Sequence, residues 1–143
     1  MIKIYTDGAC SGNPGIGGWG AVILEDTNVP KYIYGGENNT TNNRMELKAA
    51  IEAINIFLNP KKLEVFTDSK YLKNGIEVWI KNWKNNGWKT ASKKPVKNKD
   101  MWTQLDQCII KHEITWNWVK GHANNIHNEK ADELARKYIE QNS

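Results

Sequence analysis

Four acidic side chains, Asp7, Glu46, Asp68 and Asp132, stand where strands and helices are expected to meet. Each alone has an ordinary explanation. Asp7 precedes Gly8, a common turn pair. Asp68 precedes Ser69 where a strand passes into a helix, a capping position. Glu46 follows Asn43 at the spacing of a capping box, and Asp132 lies early in a helix, where an acid gains from the dipole. Together they could do chemistry. Two carboxylates about 4 Å apart repel by roughly 4 kcal/mol at an effective dielectric near 20, so a convergent set stays ionised only around bound cations. Oxygen ligands without histidine or cysteine favour Mg2+, with Mn2+ as the alternative. Glu46 shares a helical face with Ala50, Ala53 and Phe57 and is expected to point towards a sheet, whereas Glu52 faces away. Asp7 and Asp68 both occupy strand ends, where open α/β sheets place their sites. Spacing alone leaves convergence open.

The elements that must position these acids follow from periodicity. Residues 2–8 and 18–26 are rich in β-formers and flank the turn-forming Ser11-Gly12-Asn13-Pro14-Gly15, and residues 31–37 give a third strand. Leu47, Ala50, Ile51, Ile54 and Phe57 then recur at helical spacing, up to Pro60. Residues 63–67 form a strand. Leu72, Ile76, Trp79, Ile80 and Trp83 make the apolar stripe of a second helix, bent at Gly75. Met101, Trp102, Leu105 and Cys108 mark another helix, residues 114–119 a last strand, and Ala131, Leu134, Ala135 and Tyr138 a terminal helix. The order is βββαβα with a basic helical segment, then αβα. It predicts an α/β fold, a five-stranded mixed sheet with helices on both faces.

A chain of 143 residues fits one domain, taken as residues 1–143. Its net charge is +4, yet residues 78–99 hold seven lysines and no acid, so the remaining body is mildly acidic. A basic segment interleaved with Trp79, Trp83 and Trp88 suits a nucleic acid better than a membrane. Cys10 and Cys108 fit no zinc spacing, which favours a reduced, cytoplasmic protein. No leader or long apolar run is evident. The glycines from Gly12 to Gly20 are followed by no Gly-Lys-Ser/Thr, so no nucleotide cofactor is expected.

Five strings occur in one order along the chain: Tyr5-Thr6-Asp7-Gly8-Ala9-Cys10 with Gly12-Asn13-Pro14-Gly15, Thr40-Thr41-Asn42-Asn43-Arg44-Met45-Glu46-Leu47, Phe66-Thr67-Asp68-Ser69, Trp118-Val119-Lys120-Gly121-His122, and Asn128-Glu129-Lys130-Ala131-Asp132-Glu133-Leu134-Ala135. This series resembles the motifs of bacterial ribonuclease H, of the type 1 family in the RNase H-like superfamily. The resemblance implies an endoribonuclease that hydrolyses the RNA strand of RNA–DNA hybrids, leaving 5′-phosphate and 3′-hydroxyl ends. It implies two metal ions in the presence of substrate, held by Asp7, Glu46, Asp68 and Asp132, with His122 moving protons or aiding product release. Cys10, Asn13, Asn42 and Asn43 match positions that face the hybrid's minor groove, and Thr41 one that holds a DNA phosphate. Lys70 departs from the pattern, since many relatives carry glutamine there. The segment bearing Trp79, Trp83, Trp88, Lys89, Lys93, Lys94 and Lys97 resembles a basic protrusion that grips DNA. A monomer is expected. Rival readings are another nuclease or recombinase of the same superfamily, which should lack the helix acid Glu46, and a silent hybrid-binding module, which should lack one of the four acids.

Overall fold

The computed structural model describes residues 1–26, 29–120 and 125–143. Among them, five strands form one mixed sheet in the order β3-β2-β1-β4-β5. Strands β1 (Ile2–Gly12), β2 (Gly15–Leu24) and β3 (Lys31–Thr40) make an antiparallel meander. Strand β4 (Lys62–Thr67) runs parallel to β1, and β5 (Glu113–Trp118) parallel to β4. The β1–β2 hairpin is longer than residue preference suggests. Ser11 and Gly12 still pair with Ile16 and Gly15, so the turn is only Asn13-Pro14, with a cis peptide bond and Gly12 at φ 90°.

The period of two along β1 assigns its side chains to two cores. Ile4 joins Ala21, Ile23, Leu63 and Val65 beneath helices α1 (Asn42–Asn55) and α4 (Lys99–Lys111). These helices supply Leu47, Ala50, Ile51 and Ile54, and Met101, Trp102, Leu105 and Cys108. Tyr5 and Val22 meet Ala131 and Leu134 of helix α5 (Ile126–Asn142) on the other face. Helices thus cover both faces, as periodicity predicts. Helix α1 ends at Asn55, ahead of Pro60. No helix among the described residues is long and apolar enough to cross a membrane.

Between β4 and α4 lies one helical run in three parts: α2 (Lys70–Asn74), a π-turn (Gly75–Trp79) and α3 (Ile80–Asn85). The irregularity begins at Gly75, where a bend is expected from sequence. A Cβ there would collide with the indole of Trp102, which is fully buried. The basic segment is helical only up to Asn85. Lys89, Lys93, Lys94 and Lys97 sit in a loop drawn together by a bridge between Lys89 and Pro95, with Trp88, Lys93 and Asn98 at positive φ.

His112 is buried at the α4–β5 junction. Its Nδ1 accepts the Lys61 N–H at 3.1 Å, and burial together with Lys111 pushes its pKa down. Periodicity could not place it, because its environment comes from the loop leading into β4. Gly75→Ala should lower unfolding stability by about 1–3 kcal/mol, the range for overpacking a well-filled core. A shift in the urea midpoint at unchanged slope checks this.

Candidate active site

The site forms where β1 and β4, parallel neighbours, run towards the first turns of α1 and α2. Asp7 lies within β1, Glu46 on the inward face of α1, and Asp68 just past β4. One carboxylate oxygen from each lies within 4.8 Å of the others. Asp7 and Glu46 are only 5% and 6% exposed, and Asp68 is half-buried. This cluster is held by backbone contact. A Cβ on Gly8 would lie 2.5 Å from Glu46 N and 2.6 Å from the Met45 carbonyl carbon, so glycine is what lets α1 rest directly on β1. The Gly8 N–H donates to Asp7 Oδ1 at 2.9 Å and fixes that carboxylate.

The caps differ from those suggested by spacing. Thr41, rather than Asn43, is the N-cap of α1, its Oγ1 accepting the Arg44 N–H at 3.2 Å. Ser69, rather than Asp68, caps α2, its Oγ accepting the Leu72 N–H at 3.1 Å. Asp68 and Glu46 therefore take neither proposed capping role and face each other and Asp7. Burial, then the charges of Asp7 and Asp68, push the Glu46 carboxyl well above the usual carboxylate range. Glu46 Oε1 is buried with no hydrogen-bond partner among the described residues. An oxygen without a donor, in a pocket of like charges, fits a hard cation.

Asp132 stands apart from the three-acid group. It lies beyond the first turn of α5, where the helix dipole gives little. Arg136 Nε and Nη2 both reach its Oδ2, at 2.9 and 2.8 Å. His122 lies outside the described residues.

The minor-groove candidates are gathered on one rim. Asn13 Oδ1 accepts the Asn42 N–H at 3.3 Å, tying the hairpin turn to α1, and Cys10 Sγ donates to the Thr40 carbonyl at 3.4 Å. Asn42 and Asn43 are exposed, and Thr41 is half-buried. Trp79, Trp83 and Trp88 all pack partly against the core, with successive ring centroids 5.8 and 6.4 Å apart. Trp79 and Trp83 line a groove with Tyr71 and Lys97, while Lys89, Lys93, Lys94 and Lys97 are exposed beside it. Sequence reading gives no role to Tyr71, Arg44 or Asn98. Their bonds span widely separated segments and leave no local signature.

A model of the RNase H family matches residues 1–140. Ribonuclease H of Francisella tularensis subsp. novicida (strain U112) is 61% identical over 138 residues, covering 96% of this chain and 90% of that protein. Ribonuclease H of Francisella philomiragia subsp. philomiragia matches to the same extent. Among solved structures, LC9-RNase H1, described as a type 1 RNase H with the type 2 active-site motif, resembles this chain with a TM-score of 0.86. That match has 30% identity over 99% of this chain and 73% of the other. LC11-RNase H1, solved in complex with RNA/DNA hybrid, shares the fold at a TM-score of 0.73 and 22% identity, covering 99% of both chains.

Because the Glu46 pKa is raised on folding, the folded chain binds more protons than the unfolded one above the ordinary carboxyl range. Its contribution favours the fold at low pH and is lost as pH rises from about 4.3 through the folded value. In EDTA, Glu46→Gln should therefore gain stability over the parent as pH rises, while magnesium should stabilise the parent more than the variant. Urea midpoints from pH 4 to 8 measure both, and parallel curves would exclude the effect.

Proposed function

Because the chain belongs to the RNase H family, we propose that it is an endoribonuclease hydrolysing the RNA strand of RNA–DNA hybrids by a two-metal-ion mechanism. The observation that carries the site assignment is the buried meeting of Asp7, Glu46 and Asp68. These three, with Asp132 from α5, would hold two divalent ions, taken as Mg2+ with Mn2+ as the alternative. Bound there, the ions would stabilise charge on the attacking and leaving oxygens of the phosphodiester, giving 5′-phosphate and 3′-hydroxyl products.

The protein's own groups supply position and protons. Asp7 is fixed by the Gly8 N–H, and Glu46 by the seating of α1 on β1. Asp132 Oδ1 makes neither of the Arg136 bonds and would be the oxygen offered to an ion. His122 would move a proton or help product leave. Cys10, Asn13, Asn42 and Asn43 would meet the minor groove, with ribose on the RNA side. Thr41 would hold a DNA phosphate. Trp79, Trp83 and Trp88, with Lys89, Lys93, Lys94 and Lys97, would grip the DNA strand. Residues 1–143 would act as one catalytic domain, a cytoplasmic monomer.

Labelled RNA–DNA, RNA–RNA and DNA–DNA duplexes, incubated with magnesium or EDTA, test the assignment. Only the hybrid should be cut, only with the metal, and only on its RNA strand. Asp7→Asn and Asp68→Asn should abolish cutting, whereas His122→Ala should slow it by roughly 10²-fold and leave measurable turnover. Equal cleavage of hybrid and DNA duplex would favour a recombinase-type enzyme. Replacing Lys89, Lys93, Lys94 and Lys97 by alanine should raise KM and flatten its salt dependence. The expected change is about 0.9 log unit per log unit of salt for each phosphate no longer neutralised. An unaltered salt slope would make the segment a solvated surface.

A further inference from the structure

Arg44 and Tyr71 join the two rims of the site. The Arg44 backbone N–H serves the Thr41 cap, while its guanidinium reaches across to α4. Nη1 donates to Asn98 Oδ1 and to Asp100 Oδ1, each at 3.1 Å, and Nη2 to Asp100 Oδ2 at 2.9 Å. Asn98, at φ 60°, uses the other end of its amide on Tyr71, Nδ2 donating to the phenolic oxygen at 3.0 Å. The same oxygen accepts the Trp102 Nε1–H at 3.0 Å. Because Trp102 is completely buried, the position of that oxygen is set by the core. The Tyr71 ring stands edge-on to Trp79 at 5.6 Å and lines the tryptophan groove.

One phenolic oxygen thus links three places: the interior through Trp102, the start of α4 through Asn98, and the first turn of α1 through Asn98 and Arg44. Asn98 also follows Lys97 of the basic loop. We propose that the Tyr71 hydroxyl is a positioning group. By holding Asn98, and through it Arg44, it fixes the separation between the rim of Thr41, Asn42 and Asn43 and the groove of Trp79, Trp83 and Lys97. Affinity for a duplex laid across both surfaces depends on that separation. The inference rests on the hybrid-binding reading above and adds residues that act through others. A purely structural Tyr71, serving only Trp102, would couple to core stability and not to Arg44.

Tyr71→Phe keeps the ring and removes the acceptor, so it isolates the hydroxyl. Binding of a fluorescent RNA–DNA hybrid, measured by anisotropy in EDTA, should weaken about fivefold, the effect of one hydrogen bond. Arg44→Lys, which cannot form the fork, should weaken binding similarly, and the double variant should be no weaker than the worse single one, because both break one relay. Asn98→Gly tolerates the positive φ, leaves the Trp102 bond in place and should show the same loss; it decides the matter if Tyr71→Phe fails to fold. In steady-state cleavage with magnesium, KM should rise by the same factor, with kcat within about twofold. Unchanged affinity in Tyr71→Phe and Asn98→Gly, losses that multiply in the double variant, or a fall in kcat at constant KM would each overturn the proposal. A parent protein that binds hybrid without cutting it would refute the enzymatic reading, while the binding experiment would still judge the relay.

Discussion

Everything in the site depends on the contact of α1 with β1 at Gly8. A helix normally stands off a sheet by the thickness of two side-chain layers, but here the backbones nearly touch. That approach carries Glu46 into the same buried space as Asp7 and Asp68, against the repulsion of three carboxylates. Hydrophobic burial around it offsets the cost. Met45 and Leu47, the neighbours of Glu46, are fully buried, as are Ala49, Ala50 and Ala53, whose small side chains keep the helix close. The protein spends folding stability on holding apart from water a group of anions that a cation can then neutralise, a common arrangement where function and stability conflict.

Topology completes the arrangement. Asp7 and Asp68 come from neighbouring parallel strands, whose shared direction brings both carboxylates to one end of the sheet. Asp132 lies on α5, on the opposite face, where Arg136 pairs with it. The groove of Trp79 and Trp83 forms a separate wall built on α4 through Trp102.

Much of this is legible in the sequence, for identifiable reasons. The inward face of Glu46 follows from a helical period that buried residues impose, and Asp68 from the end of its strand, whereas Asp7 lies inside β1 and not at the strand end expected for it. The bend at Gly75 is legible because glycine in a helical stripe needs a packing reason, here Trp102. Other features depend on partners distant in the chain. Thr41, Asn42 and Asn43 are all capable caps, and only the seating of α1 selects Thr41. His112 looks polar and exposed until the Lys61 backbone occupies its ring nitrogen. Strand β1 outruns the end that residue preference gives it, because Ser11 and Gly12 prefer turns but are held in the ladder by β2. The bonds of Tyr71 and Arg44 to Asn98 unite three segments that share no spacing rule.

The parallel pairing of β1 with β4 has a temporal consequence. A meander can zip as it leaves the ribosome, but β1 must wait for α1 and β4 before its second edge is filled, and closing such a non-local pair is slow. Helix α5, which follows every other element in the chain, covers the remaining face of the sheet and carries Asp132. During vectorial synthesis the elements that bring Asp7, Glu46 and Asp68 together are therefore all made before α5, and that cluster first meets water on a sheet with one face still bare.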